Sequence, residues 1–355
     1  MLTQVAAGRV FDYSHSVGRG AQSGMGFNQP VAAALGQGNM VYVLNRGIEG
    51  ISNVPWDRIG YGARVSMTTI GTTPGDEEYL GEFGKYGKGE GEFIWASGIA
   101  VDQAENVYVS DEWLNRINVY DKGGKFLGKW STLPERDDGL LHGTASIALD
   151  ADENIYLTDS RSHQVRRFSK DGQFLGAWGR HGAGNGEFNA PWGITVDGQG
   201  FVYVADHKNH RVQQFTPAGD WVAGFGSYGT RRGQLVRPTG VAVDPDGDVY
   251  ICDWSDNGWH PGRVHVFDAN GKFIISLVGD AQQLSKWAQM TVDANLDYLR
   301  ARRRVPTTEP EWRFAMPTGL TFDAQKRRLL VVDNQRSRLQ IYNKPTDYMA
   351  PQLNL

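Results

Sequence analysis

Trp192-Gly-Ile-Thr-Val-Asp197 followed by Val202-Tyr-Val-Ala-Asp206 decides the fold, because the pair recurs. Upstream stand Ser97-Gly-Ile-Ala-Val-Asp102 with Val107-Tyr-Val-Ser-Asp111, and Ala145-Ser-Ile-Ala-Leu-Asp150 with Ile155-Tyr-Leu-Thr-Asp159. Downstream stands Thr239-Gly-Val-Ala-Val-Asp244 with Val249-Tyr-Ile-Cys-Asp253. The closing aspartates fall at 111, 159, 206 and 253, spaced by 48, 47 and 47 residues. Thr318-Gly-Leu-Thr-Phe-Asp323 with Leu329-Leu-Val-Val-Asp333 is a fifth copy. Pro30-Val-Ala-Ala-Ala-Leu35 with Met40-Val-Tyr-Val-Leu-Asn45 is a degenerate sixth. A fixed period of this length marks a repeat architecture.

Each copy holds four short β-rich runs separated by turn residues. In the fourth copy strands a to d lie near 192–197, 201–205, 211–216 and 220–225. Four antiparallel strands per repeat of about 40–50 residues describe a propeller blade. The predicted fold is an all-β, six-bladed β-propeller in one domain, 1–355. Its blades fall at 28–84, 95–130, 144–179, 190–226, 237–278 and 316–343, with a helical insertion at 280–312 between blades 5 and 6. The sixth blade lacks a last strand, because after Arg338–Tyr342 the chain meets Pro345. Gly8-Arg-Val-Phe-Asp-Tyr-Ser-His-Ser-Val-Gly18, leading to Phe27-Asn-Gln-Pro30, reads like Gly172-Gln-Phe-Leu-Gly-Ala-Trp-Gly179 leading to Phe188-Asn-Ala-Pro191. Residues about 8–17 are expected to supply strand d of blade 6 and close the ring, which removes exposed sheet edges.

Composition agrees with a turn-rich β-protein: 45 glycines, 11% aromatic and 21% charged residues in 355. A net charge of -4 argues against nucleic acid, whose binders carry a basic surplus for phosphate. Cys252 stands alone, so no intrachain disulfide can form and a reducing compartment suits the chain. The N-terminus lacks the pattern of a signal peptide and no run is apolar enough to span a membrane, so a cytoplasmic location is expected. A leader removed earlier would leave no trace.

Strand direction alternates within a blade, so the d–a connectors and b–c loops share one face. That face is elaborated. From closing residue to strand c takes five positions in blade 4, nineteen in blade 1 (Asn45 to Arg64) and ten in blade 5 (Asp253 to Arg263). In the insertion, Leu284, Ala288, Val292, Leu296 and Leu299 follow helical spacing, predicting a helix over 282–303 on or beside this face. Eight of eleven tryptophans map there: Trp56, Trp95, Trp113, Trp192, Trp254, Trp259, Trp287 and Trp312. They either pack loops onto the propeller or wall a ligand pocket.

Acids closing strand b recur with arginines opening strand c, as Asp111/Arg116, Asp206/Arg211, Asp253/Arg263 and Asp333/Arg338. A position repeated in every blade is a fold device, here a charge-assisted hydrogen bond. The informative positions differ between blades: Ser97, Ala145, Trp192, Thr239 and Thr318 before the strand-a glycine or its equivalent, and Arg46, Glu112, Ser160, His207, Trp254 and Asn334 after the closing residue. His207, Glu112 and His142 are the catalytic candidates, and His260 in the enlarged blade 5 loop is a further histidine open to a functional role. Arg46, Trp113, Arg161, Trp192 and Trp254 are expected to bind substrate, with the 282–303 helix as wall or lid. No metal ligands are assigned: Asp244-Pro-Asp246-Gly-Asp248 lacks the twelve-residue frame of a calcium loop. The basic run Arg300 to Arg304 reads as a solvated helix end.

These repeats resemble the NHL-repeat propeller family over nearly the whole chain. Val41-Tyr-Val-Leu-Asn-Arg-Gly47, the Phe-Asn-x-Pro blade starts and Asp206-His-Lys-Asn-His-Arg-Val-Gln213 also look distantly like peptidyl-hydroxyglycine amidating lyase. That family holds zinc with three histidines, at positions that here read Ser97, Trp192 and Thr318. Its catalytic tyrosine falls at Arg161 and a site arginine at His207, while a first-blade arginine survives as Arg46. The resemblance thus implies the scaffold without the zinc chemistry.

The expected function is an enzyme of lyase, hydrolase or isomerase type, acting on a small organic substrate at the elaborated face. No nucleotide-cofactor motif appears and no cofactor is expected, with a calcium ion in the central channel left open. The alternative is a non-catalytic propeller that binds a ligand or a protein partner. An RNA-binding module is the third reading, against which the charge counts.

Overall fold

In the computed structural model the described residues are 2–51, 58–133, 142–254, 262–295, 297–304 and 310–346. Trp56, Trp259, His260 and Leu296 lie outside them.

Hydrophobic alternation produces the blades. Strand a of blade 4 is Pro191–Val196, followed by Val202–Asp206, Arg211–Phe215 and Trp221–Phe225, paired in that order as one antiparallel sheet. Blades 2, 3 and 5 repeat this order, and blade 1 keeps it across a longer b–c excursion. Strand b is buried throughout in blades 2 to 5, while the outer strand of blade 2, Phe126–Ser131, alternates between half-buried and exposed residues. Strands a of successive blades pack side by side around the axis, and glycine permits the approach. A Cβ on Gly193 would lie 2.3 Å from the Thr239 carbonyl oxygen of the next blade.

One tie recurs in all six blades. The residue closing strand b accepts a backbone N–H from the connector that leads into strand a of its own blade. The pairs are Asn28 to Asn45 (2.8 Å), Ile94 to Asp111 (2.7 Å), Gly143 to Asp159 (2.9 Å), Asn189 to Asp206 (2.7 Å), Val236 to Asp253 (2.8 Å) and Ala315 to Asp333 (2.7 Å). The expected arginine partners join three of them: Arg211 at 2.9 Å, Arg263 at 3.2 Å and Arg338 at 2.8 Å. Blade 2 departs from expectation. Asp111 spends its oxygens on the amides of Ile94, Trp95, Trp113 and Leu114, and Arg116 turns to the carbonyls of Lys88, Gly89 and Glu92.

The N-terminal strand closes the ring. Arg9–Val17 pairs antiparallel with Arg338–Asn343 and supplies the outer strand of blade 6, with Thr3–Ala6 added as a fifth strand. A buried cluster of charges locks this closure to blade 5. Lys344, following strand c of blade 6, sets its ammonium among Asp244, Asp246 at 3.1 Å and Asp248 at 2.8 Å. Arg9 reaches Asp248 at 3.0 Å and Arg327 pairs with Asp246. The calcium-like aspartates thus receive a lysine as their cation.

The insertion departs from expectation in extent and place. It forms two short helices, Lys286–Ala294 and Asp297–Arg303, rather than one over 282–303. Ser285 caps the first, and Asn295 ends it in extended conformation. Leu284 therefore precedes the helix and is exposed, and Trp287 becomes the buried anchor, with ring centroids 6.1 Å from Phe27 and 6.4 Å from Tyr79. Lys286 donates from its backbone N–H and its ammonium to Glu77 at 2.9 and 3.1 Å, and Ser285 bonds Gly18. These contacts put the first helix on the outer circumference of blades 6 and 1, as a buttress rather than a wall or lid of the channel.

Deleting residues 1–20 should uncover the edge of blade 6 and cause aggregation or a large drop in melting temperature; an unchanged melt would refute closure by this strand. Arg327 and Lys344 hold the Asp246 carboxyl down at about 2, from 3.8. A carboxyl depressed on folding adds stability above its unfolded value and loses it as pH falls through the folded one. The melting temperature should therefore fall between about pH 4 and 2, and Asp246→Asn should flatten that decline.

Candidate functional site

Strands a enclose a central channel of about 510 Å³, lined mainly by aliphatic side chains. Of the expected site residues only Trp192 lines it, at the elaborated mouth. The others lie around that mouth in two groups.

The first group stitches neighbouring blades together. Several mouth side chains donate to a carbonyl near the start of strand a in the next blade. Ser97 Oγ reaches Thr144 at 2.7 Å, Thr239 Oγ1 reaches Pro317 at 3.1 Å and Thr318 Oγ1 reaches Pro30 at 3.3 Å. Thr158 bonds the Trp192 carbonyl in the same sense. His207 and Asn334 occupy equivalent positions in blades 4 and 6 and do the same work, His207 Nδ1 toward Pro238 at 3.0 Å and Asn334 Nδ2 toward Pro30 at 2.9 Å. The carbonyl acceptor puts the imidazole proton on Nδ1. His207 is 6% exposed and flanked by Trp192 and Trp254, with centroids at 5.3 and 6.0 Å. Burial pushes its pKa down to about 4, so it is neutral at pH 7. Trp192 and Trp254 meet edge to face at 6.2 Å. These three rings touch one another and pack the blade 4–5 seam.

His142 is also drawn into the fold. Blade 3 has Gln164 where other blades have an arginine, and His142 Nδ1 meets Asp159 at 2.7 Å instead. Arg166 lies beneath, 3.4 Å from the same nitrogen.

The second group lies where the stitch pattern changes, at the seam of blades 1 and 2. The position held by His207 and Asn334 elsewhere is Arg46 in blade 1. Its guanidinium lies 4.8 Å above the Trp95 ring and 3.7 Å from the Glu112 carboxylate of blade 2. Trp95 Nε1 donates to Glu49 at 2.9 Å, which ties down a hairpin, Ile48–Ile51 with Arg58–Tyr61, built in the long blade 1 loop. Trp113 packs its edge on Trp95 at 5.3 Å and is otherwise 53% exposed. Burial raises the Glu112 pKa, against the opposing pull of Arg46 and then of Arg161 in blade 3. The Arg161 stem lies over Gly143, and its exposed guanidinium has no hydrogen-bond or ion-pair partner among the described residues.

The expected ring of site residues thus divides. Arg46, Glu112, Trp113 and Arg161 gather over blades 1 to 3, while Trp192, His207 and Trp254 gather over blades 4 and 5. Glu49 escaped the sequence reading, although its place in the longest b–c loop was a signal. Among the described residues no group of three or more His, Cys, Asp or Glu is arranged to hold a metal.

The NHL-repeat family model matches residues 188–215 and 235–267, the connectors and inner strands of blades 4 and 5. The chain is 36% identical over 64 residues to protein brain tumor of Drosophila melanogaster, covering 18% of this chain and 6% of that protein. It is 47% identical over 47 residues to protein lin-41 of Caenorhabditis elegans, covering 13% of this chain and 4% of that one. The matches therefore span a small part of either relative. Among solved structures, a Bacteroides thetaiotaomicron protein superposes with a TM-score of 0.59 at 17% identity, over 95% of this chain and 76% of that one. A catalytically inactive variant of Staphylococcus aureus virginiamycin B lyase, solved with quinupristin, gives 0.52 at 14%, over 94% and 99%. At such identities the likeness is one of fold. No described helix is long and apolar enough to cross a membrane.

The stitch makes His207 testable as a structural residue of the propeller. His207→Ala should cost about 1–3 kcal/mol in a denaturant melt, while His207→Asn, borrowing the blade 6 residue, should recover part of it. The folded protein refuses a proton that the unfolded chain accepts between about pH 6.5 and 4. Stability should therefore fall as pH drops through that window, less steeply in His207→Asn. A His207→Ala protein as stable as the parent would remove the histidine from the seam.

Proposed function

We propose that this propeller is an enzyme of lyase, hydrolase or isomerase type that acts on a small organic substrate over blades 1 to 3, by proton transfer at Glu112. Glu112 carries the reading. Its carboxyl is largely buried, its pKa is raised, and its contact across the seam is a loose pair with Arg46 at 3.7 Å, where other seams use a short bond to a backbone carbonyl. A carboxyl shifted toward neutral pH by burial is suited to general acid–base work, and such shifts concentrate at functional sites. Arg46 orients it from one side. Arg161 offers a cation to the substrate, and Trp113 offers an apolar surface. His207 and His142 serve this site through the integrity of the mouth.

The non-catalytic alternative has one observation in its favour. Ile48, Ile59 and Tyr61 are exposed on the blade 1 hairpin, an apolar surface of the kind that binds a protein partner.

A thermal-shift screen against small metabolites supplies candidate substrates, and Glu112→Gln then decides. The amide keeps the shape and removes the proton transfer, so kcat should fall by about 10²–10⁴ while the melting curve stays near that of the parent. If Glu112 is the base, kcat/KM should fall on acidification with a midpoint above the 4.5 of an ordinary glutamate. Full activity in Glu112→Gln would move the chemistry elsewhere.

A further inference from the structure

The charges around Glu112 are unequal in their commitments, and that inequality points to a ligand class. Arg46 is engaged twice, with the Glu112 carboxylate at 3.7 Å and over the Trp95 ring at 4.8 Å. Arg161 holds in blade 3 the position that Trp113 holds in blade 2, two residues past the closing aspartate, with its stem over Gly143, and it makes no ion pair and no side-chain hydrogen bond among the described residues. The spare charge at this seam is therefore positive, although the chain as a whole carries -4. Trp113, next in sequence to Glu112, spends one edge on Trp95 and leaves 53% of its surface to solvent. An exposed indole and an uncommitted guanidinium at equivalent loop positions of neighbouring blades suit a molecule with a planar body and an anionic end.

We infer that the site over blades 1 to 3 takes an organic carboxylate with a planar, aromatic body, its carboxylate on Arg161 and its ring on Trp113. This names the substrate class for the proposed proton-transfer enzyme and rests on that reading for turnover, though not for binding. Planarity makes stacking on an indole favourable, and the guanidinium can meet a carboxylate with two parallel hydrogen bonds. An amine would meet the wrong spare charge, because the Glu112 carboxylate already faces Arg46.

A consequence separates this site from a generic basic surface. An anion bound near Glu112 disfavours a second negative charge there, so binding should draw a proton onto the carboxyl. Calorimetry with indole-3-acetate in two buffers of different ionisation enthalpy reads that uptake. The parent protein should bind indole-3-acetate with proton uptake and bind indole-3-acetamide on the order of tenfold more weakly. Arg161→Gln should remove the preference for the acid over the amide. Trp113→Ala should remove the preference for indole-3-acetate over cyclohexylacetate. Glu112→Gln should keep binding and lose the proton uptake.

Equal affinity for acid and amide in the parent, no binding at millimolar concentration, or an Arg161→Gln protein that still prefers the acid would each overturn the inference. Thermal melts of each variant separate lost recognition from lost folding. Binding with these dependences but no turnover of any bound acid would refute the enzyme reading while this inference stands. Turnover of an uncharged substrate through Glu112, with no carboxylate bound, would do the reverse.

Discussion

The bond from a connector amide to the residue closing strand b, 2.7 to 2.9 Å in every blade, is the constraint on which the rest depends. A propeller must turn each chain crossing from the outer edge of one blade back to the axis at the start of the next. The crossing leaves backbone amides with no strand to pair with. A buried acceptor at a fixed distance along the chain satisfies one of them and fixes where strand a begins. Once strand a is placed, its carbonyls stand at the channel mouth, where the preceding blade can reach them.

That reach explains the division of the mouth. Ser97, Thr239, Thr318, His207 and Asn334 are chemically varied, and the variety resembles a binding set. Each nevertheless makes a bond of one kind, from a donor on one blade to a carbonyl of the next. A hydroxyl before the strand-a glycine serves the purpose, and so does a nitrogen after the closing acid, because both point at the same seam. The seam between blades 1 and 2 is bridged by a guanidinium and a carboxylate instead. Charged groups half removed from water are a costly way to join two blades, whereas they are well suited to recognition.

The two ends of the molecule's axis therefore use charge differently. On the face of short turns, Lys344, Arg9 and Arg327 neutralise the three aspartates of the blade 5 turn and hold the closure of the ring. Every charge there has a near partner, as the burial of Lys344 and Asp248 demands. On the elaborated face Arg161 has none among the described residues, and Glu112 is held by a looser contact. A scaffold stable at one end leaves the other free to carry exposed and uncommitted groups.

The six-fold repeat, the four strands of each blade and closure by the N-terminal strand were legible in the sequence. They depend on hydrophobic period and turn residues, which are local properties. The paired charges of blades 4 to 6 were legible for the same reason, since partner positions recur at fixed spacing. The candidate site was legible only as a list. Residues around a ring are separated by whole blades in the chain, and sequence does not say which neighbours touch. Thus Glu112 and Arg46 form a pair from positions 66 residues apart, while His207 faces a carbonyl, an acceptor that every residue carries and no sequence pattern displays. The insertion taught the same lesson. Its helical period was readable, but Ser285 and Asn295 set its ends, and Trp287 found its partners in Phe27 and Tyr79 on the outer wall. Local chemistry determined the elements of this protein; contacts across the ring decided which of its polar residues hold the fold and which are left to bind.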